Sequence, residues 1–407
     1  MIKSILKIIE EGISYIGYEA IKTIAKEKDK SGEYYLYKAY DLGILPEIQK
    51  VISTALSVSY DLYSANFNSL NKRMGELRDN PYTQGVWGRI FGGAMDSEFG
   101  SGSKSNYVTL QAGYDYAFSF DDARNYLGAS ISYGNSSTKG NILSSQANHG
   151  SIGLQEAQSD LVEVGIYNTY IADSGWYNDS IFKLGAVMSS LTLNDNLSQK
   201  SDTNNFAMIL SDELGYRYKF GGDQSWYVDL QMEVGFGYFG GSEINRVMES
   251  SGAMLNAKQK GIFTLRSRIG ANLGKRFQTE KGFALLYLGA SYEYDLITGG
   301  KIEAISQSGN INTPESMQSN GRVILNIGSD IVLSEDVRMY IDVEKSFTGK
   351  QTTFMEFNLG ARYSFGEKRA ITPKNNSLKS PHKPSSLSKM GGGGYFIKRP
   401  FLENISI

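Results

Sequence analysis

Roughly ten to fourteen residues alternate between apolar and polar, a turn follows, and the alternation resumes about twelve times between Gln84 and Phe365. The stretch Val108-Thr-Leu-Gln-Ala-Gly-Tyr-Asp-Tyr-Ala-Phe118 shows it plainly. Its even positions are apolar or aromatic, and its odd positions are small or polar. Successive side chains of a strand point to opposite faces, so each stretch reads as a strand with one greasy and one wet face. Strands of soluble sandwiches are usually shorter, roughly 5–6 residues. Long strands whose second face carries charge and glycine fit a closed barrel in lipid around a polar lumen.

The strands are placed at 84–95, 105–119, 125–137, 158–172, 175–193, 205–220, 225–239, 262–277, 282–297, 321–333, 337–347 and 353–365. Short turns alternate with long connections at 96–104, 138–157, 194–204, 240–261 and 298–320. That is the asymmetry of an up-and-down barrel, with the short turns periplasmic. Proline, which removes a ladder donor, falls inside the repeating region only at Pro314, between strands. Upstream, Leu45, Ile48, Ile52, Leu56, Leu70, Met74 and Leu77 recur at helical spacing. They predict one helix over 45–78, about 50 Å long, stopped by Asp79-Asn80-Pro81. Residues 1–44 are mixed: Ile5, Ile9, Ile13 and Ile16 suggest an apolar helical face, against Gly12 and Gly17. Residues 366–407, rich in Pro, Ser and Lys with a Gly391–Gly394 run, read as a disordered tail.

Composition narrows the class. The mean hydropathy is −0.31 and no apolar run approaches the ~18 residues of a membrane helix, which leaves barrels untouched. Tyr and Phe number 27 and 19, a load that suits interfacial girdles. Without cysteine there is neither a disulfide framework nor a thiolate metal site. The tail carries a net +6 within a whole-chain −2, which leaves −8 for the rest and argues against nucleic acid as a partner. Glu10-Glu11 interrupts the first apolar run, so the start does not read as a signal peptide. The expectation is that the chain is the C-terminal part of a longer precursor.

Two sets of residues fall on the polar face. Ten strands set a glycine there: Gly113, Gly128, Gly165, Gly185, Gly215, Gly235, Gly270, Gly289, Gly328 and Gly360. They fit strand curvature, clearance for a helix held in the lumen, or both. The charged set comprises Asp115, Glu163, Glu213, Asp229, Glu233, Glu293, Asp342, Glu344 and Glu356 with Arg89, Lys183, Arg217, Arg266, Arg268, Arg338 and Arg362. Asp229 and Glu233 could form an acid/base dyad, but an ion-paired, hydrated lumen is the simpler reading. Lys72, Arg73 and Arg78, near the end of the helical stretch, can pair with lumenal acids. Gly235-Phe-Gly237-Tyr-Phe-Gly240 matches a dinucleotide fingerprint literally, yet it lies in an alternating strand and not at a strand–helix junction. The only histidines, His149 and His382, lie in a loop and in the tail. No cofactor, metal or catalytic residue is assigned.

Four segments then point to a family. Asn71-Lys-Arg-Met-Gly-Glu-Leu-Arg78 leads into Gly85-Val-Trp-Gly-Arg-Ile-Phe-Gly92, and Leu359-Gly-Ala-Arg-Tyr-Ser-Phe365 closes the series after Val108–Tyr116. In this order they resemble the C-terminal β-domain of monomeric autotransporters of type V secretion. The resemblance implies an all-β fold: a twelve-stranded antiparallel up-and-down transmembrane β-barrel with an N-terminal α-helix in the pore. It further implies export of an N-terminal passenger across the outer membrane of a Gram-negative bacterium, and Phe365 as part of the signal read by the barrel-assembly machinery. A tail after Phe365 departs from the family, whose members usually stop at that aromatic. Some autotransporters cut themselves at an Asn-Asn pair; Asn66, Asn68 and Asn71 include no adjacent pair, so that activity is not carried over. The expected organisation is an upstream segment or passenger remnant (1–44), a pore-spanning linker helix (45–81), a translocator barrel (82–365) and a basic tail (366–407). The expected partners are outer-membrane lipid, the assembly machinery and the chain's own passenger, with the barrel a monomer. A small porin or adhesin barrel is the alternative, and a barrel-embedded hydrolase a more distant one.

Overall fold

The computed structural model describes residues 4–11, 14–22, 34–44, 46–67, 72–73, 75–145, 150–194, 200–248, 253–279, 282–306, 309–315 and 317–368. His149, His382 and the tail beyond Lys368 lie outside the described residues. The chain opens with β1 (Ser4–Glu11), β2 (Ser14–Lys22) and β3 (Tyr34–Ile44), then α1 (Pro46–Ala65). There follow β4 (Tyr82–Ser97), β5 (Ser103–Ser119), β6 (Ala123–Gly140), β7 (Ile142–Ser145), β8 (Gly150–Ala172), β9 (Trp176–Asn194), β10 (Lys200–Phe220) and β11 (Trp226–Phe239). Next come β12 (Glu243–Met248), β13 (Ala253–Gln259), β14 (Ile262–Gln278), β15 (Phe283–Gly299), β16 (Lys301–Ser306) and β17 (Gly309–Glu315). The chain of strands ends with β18 (Asn320–Val332), β19 (Val337–Phe347) and β20 (Gln351–Lys368).

Twelve of these strands (β4, β5, β6, β8, β9, β10, β11, β14, β15, β18, β19 and β20) pair antiparallel with their neighbours, and β20 pairs back onto β4. The barrel is therefore closed and leaves no free edge. The period of two explains its two surfaces. Outward positions such as Leu110, Ile131 and Ile269 are more than half exposed, while the residues on either side of them are buried or half-buried. So large an exposed apolar wall is stable only against an apolar medium. Aromatic residues rim it on both sides. Phe120, Tyr170, Trp176, Phe220 and Trp226 stand beside the short turns, and Tyr133, Phe206, Phe263, Tyr294 and Phe354 toward the long connections.

The structure corrects four readings of the sequence. Residues 1–44 contain a three-stranded antiparallel sheet, β1-β2-β3, and no helix among the described residues. The β-branched and aromatic residues there favour strand: Ile5 and Ile9 fall on β1 and Ile16 on β2, while Ile13 lies outside the described residues. The linker is not one helix over 45–78. It is helical from Pro46 to Ala65, about 30 Å, and then tightens: Asn66 N bonds Tyr63 O at 3.1 Å and Phe67 N bonds Ser64 O at 3.3 Å. Further on, Gly75 holds φ at +65°, with Tyr340 Cδ1 2.7 Å from where a Cβ would be, so a side chain would be strained there. Three long connections carry strands: β7 extends the barrel sheet beside β8, and β12-β13-β16-β17 form a sheet of their own. Last, the glycine face is also an aromatic face, as described below.

Candidate functional site

The barrel encloses a lumen, and most of the described part of the linker lies buried within it. Residues 51–66 of the linker are all buried, polar and apolar alike. The upper part of α1 sits in an apolar collar. Val51, Ile52, Ala55, Leu56 and Val58 cluster with Leu154 and Ala157 of β8 and Leu191 and Leu193 of β9. Ile244, Ala257, Ile302 and Ala304, from the β12-β13-β16-β17 sheet, complete the collar. One turn lower Tyr60, Leu62, Tyr63 and Ala65 join a second apolar cluster with barrel residues such as Val187, Ile209 and Phe239, and polar contacts are added. Tyr60 Oη lies 2.6 Å from Thr264 Oγ1, and Ser59 Oγ 2.7 Å from Ser189 Oγ. The Asp61 carboxylate accepts from Gln351 Nε2 at 2.7 Å and Ser105 Oγ at 3.1 Å.

Below α1 the helix is interrupted at Asn66–Phe67, Lys72 and Arg73 are again helical, and residues 75–80 are irregular, so backbone carbonyls along this stretch need partners. Barrel side chains supply them. Lys183 Nζ donates to Asn66 O at 2.5 Å, and Arg89 Nη1 and Asn358 Nδ2 donate to Lys72 O at 2.6 and 2.9 Å. Tyr340 Oη donates to Arg73 O at 2.5 Å and Arg338 Nη1 to Glu76 O at 2.6 Å. The linker's charges are paired as well. Lys72 meets Glu344, with Glu356 at 3.6 Å. Arg73 meets Asp179 at 2.6 Å, and Glu76 meets Arg217. Arg78 lies 3.4 Å from Glu76 and 3.8 Å from Asp229.

The remaining charged residues pair across the wall. Arg362 binds Asp115 at 2.5 Å, both fully buried. Lys183 reaches Glu163 at 3.2 Å, and Arg217 reaches Asp229 at 2.6 Å. Arg268 bridges Glu213 at 3.0 Å and Glu233 at 2.6 Å. Arg266 takes Asp295 at 2.6 Å and Glu293 at 3.4 Å. Asp342 accepts from Tyr287 Oη at 3.0 Å and Asn326 Nδ2 at 2.8 Å, and Glu356 from Tyr107 Oη at 2.5 Å. Asp229 and Glu233 thus answer to different guanidiniums and do not share a proton as a dyad would.

Residues beyond the initial set complete these pairs. Asp179, Asp295 and Arg322 fall on the same inward parity as their neighbours and were legible by alternation. Glu76 and Asp61 lie in the linker, where alternation gives no signal.

The glycines divide by what stands over them. Gly113, Gly128, Gly215, Gly328 and Gly360 lie directly across from Trp87, Tyr167, Tyr177, Tyr287 and Tyr340 on the neighbouring strand. Each ring lies over its glycine: a Cβ on Gly215 would meet Tyr177 Cζ at 2.2 Å, and one on Gly360 would meet Tyr340 Cζ at 2.1 Å. Gly274 under Tyr227 is a sixth such pair. Gly235, and with it Gly237, faces the linker instead, at 3.0 Å from Phe67. Gly289 lies between Asn272 and Asn326, while Gly165, Gly185 and Gly270 meet strand neighbours. Most of the ten lumenal glycines therefore make room for a ring or a cross-strand neighbour, and of the ten Gly235 alone faces the linker, joined by Gly237 and, in a connection, Gly100 under Lys50 and Thr54. The aromatic load is correspondingly split between the outer girdles and this inner layer, where Trp87, Tyr126, Tyr167 and Tyr177 are buried.

A closed twelve-stranded barrel, apolar outside, ion-paired inside and stopped by its own chain, is an outer-membrane barrel of the self-plugged kind. The autotransporter beta-domain model matches residues 86–344, and the chain belongs to that family. Its translocator-domain character and its place in the bacterial outer membrane follow from that membership. Among curated relatives, the serine protease EatA of Escherichia coli is 27% identical over 356 residues, covering 87% of this chain and 25% of that protein. The serine protease EspC of Escherichia coli is 27% identical over 360 residues, covering 88% and 26%. The chain spans about a quarter of the length of these relatives. Among solved structures, the transport unit of the autotransporter AIDA-I from Escherichia coli superposes with a TM-score of 0.56 at 16% identity, covering 79% of this chain and 100% of that one. The β-domain of the Bordetella autotransporter BrkA gives 0.54 at 21%, covering 70% and 100%.

Proposed function

We propose that this barrel supports export of an N-terminal passenger to the cell surface and then retains the linker as tether and plug. The observation that carries the reading is the capture of the linker's own backbone: five barrel side chains hold the carbonyls of Asn66, Lys72, Arg73 and Glu76. An open porin has no use for such donors. The hydrated, charge-lined lumen (Arg89, Asp115, Glu163, Lys183, Glu213, Arg217, Asp229, Glu233, Arg266, Arg268, Glu293, Arg338, Asp342, Glu356, Arg362) passes an unfolded chain, and Lys72, Arg73 and Arg78 then fix the linker's register. The barrel's role is structural and non-catalytic, in lipid, as a single barrel with residues 45–81 as linker and 82–365 as translocator. Phe365, stacked on Tyr363 at 6.0 Å and paired with Gln84 across the closing seam, belongs to the signal for barrel assembly.

Deleting residues 45–80 tests the plug in planar bilayers. Single-channel conductance rises if the linker occupies the pore, and an unchanged conductance refutes the reading. The folded barrel also runs as a heat-modifiable band in outer-membrane fractions; a mobility indifferent to boiling counts against the barrel itself.

A further inference from the structure

The apolar belt of the barrel is interrupted on one side. Asp212 of β10 faces outward and is exposed between Leu210 and Leu214, both also exposed. On its strand it lies midway between Tyr218, in the turn-side girdle, and Phe206, in the opposite one. The cross-strand row places it at the same depth. The row runs from Tyr116 through Leu127, Asn168, Ser180, Asp212 and Val234 to Ser267 and Tyr294, from one girdle to the other.

Asp212 is the upper end of a polar track. Asn178 Nδ2 donates to it at 2.8 Å and Ser180 Oγ at 2.5 Å. Ser180 pairs with outward-facing Asn168, whose Oδ1 accepts from Asn125 Nδ2 at 2.8 Å. Asn125 is the third residue of β6, close to the short turn at 120–122. The track thus runs from the periplasmic edge to the middle of the belt across β6, β8, β9 and β10, by hydrogen bonds except between Asn168 and Ser180, which are neighbours in register.

A carboxylate and three amides facing hydrocarbon are costly, and polar groups at this depth mark a wetted or functional site. A protein neighbour would need polar groups only at its contact and no path to the water's edge. A path open at one end fits solvent and lipid head groups entering from that end. The track's one charge is negative, and its amides both donate and accept. That combination suits a zwitterionic head group with an ammonium. We propose that the periplasmic leaflet is drawn up along this track, so that water and ammonium-bearing phospholipid head groups reach Asp212 and the bilayer thins locally beside β8–β10.

The chain has no cysteine, so a single introduced thiol reports its own surroundings. The full chain, carrying Leu214→Cys or, in the belt of β15, Leu288→Cys, is placed in phosphatidylethanolamine–phosphatidylglycerol vesicles. A membrane-impermeant maleimide is supplied on both sides, and heat-modifiability confirms that each variant is folded. The Leu214→Cys thiol reacts at least about tenfold faster than the Leu288→Cys thiol, a difference of ~1.4 kcal/mol in exposing it to water. Adding Asp212→Leu removes that excess. Equal rates at the two positions overturn the proposal. So does a fast rate that survives Asp212→Leu, or a Leu214→Cys thiol that instead oxidises to a disulfide-linked dimer, which would make the track a contact between copies.

Discussion

Replacing Arg73 by alanine is the most direct test of how the linker is held. Arg73 and Asp179 are 1% and 3% exposed, and one guanidinium nitrogen stands 2.6 Å from both carboxylate oxygens. Removing one member of a buried pair costs roughly 3–5 kcal/mol, because the other charge is left without its partner. Thr169 still donates a hydroxyl to Asp179, so the lower end applies. A loss of about 3 kcal/mol multiplies the population of a displaced linker by roughly two powers of ten. Planar-bilayer recordings read that population as the fraction of time at an open conductance level. Arg73→Ala raises it about a hundredfold. Asp179→Ala combined with Arg73→Ala gives much less than the product of the two single effects, since the second substitution removes the orphaned charge. An open fraction equal to that of the wild type, or two strictly multiplicative effects, refutes the claim that this pair anchors the linker. Because the pair is buried, raising salt from 0.1 to 1 M leaves the difference between wild type and Arg73→Ala largely intact, although it shortens the screening length to about 3 Å.

Three further outcomes follow from the packing. Gly215→Leu places a Cβ about where the Tyr177 ring lies. It lowers the urea midpoint of the heat-modifiable form by an amount corresponding to ~1–3 kcal/mol, and Tyr177→Ala restores part of the loss; no change in either variant contradicts the ring-over-glycine packing. Leu56→Asp puts a charge in the apolar collar and raises the open fraction with little effect on the barrel's own midpoint; an unchanged open fraction says that the collar does not grip α1. Lys104→Ala breaks an exposed 3.8 Å pair with Asp96 and shifts neither reading, since such pairs contribute little; a clear shift means that this rim is buried by something else.

The barrel was legible in the sequence because its physics is one-dimensional. Every strand must show alternation, exclude proline and end at a turn, and all twelve do. The expected span 105–119 became Ser103–Ser119, and 337–347 became Val337–Phe347. Three features were harder to see. The collar requires that Ile302, Ala257 and Ile244 meet α1, a contact between connections that no local pattern announces. The inner aromatic layer shares its residue types with the outer girdles. Tyr167, Tyr177 and Tyr340 sit on the polar parity, yet they look like girdle residues unless each is set against the glycine on the next strand. The linker was overextended because Leu70, Met74 and Leu77 continue the helical spacing of Leu56, while Gly75 at positive φ decides otherwise. From Gly75 to Asn80 the chain leaves the helix, and barrel side chains take up the Glu76 and Leu77 carbonyls.

The linker's unlike stretches bear on where export ends. Its first turns meet an apolar collar, its middle a mixed layer of rings, aliphatics and hydroxyls, and its last residues ion pairs, each matched by the wall at that height. A shift of one helical turn, about 5.4 Å, toward the cell exterior would lift Tyr60 and Asp61 out of their hydroxyl and amide contacts and into a sleeve of leucine and alanine. It would also part Arg73 from Asp179. A shift the other way would drive Leu56 toward Thr264 and Ser189. Sliding in either direction is uphill, so the halting point is written into the wall itself, and the chain comes to rest at one address.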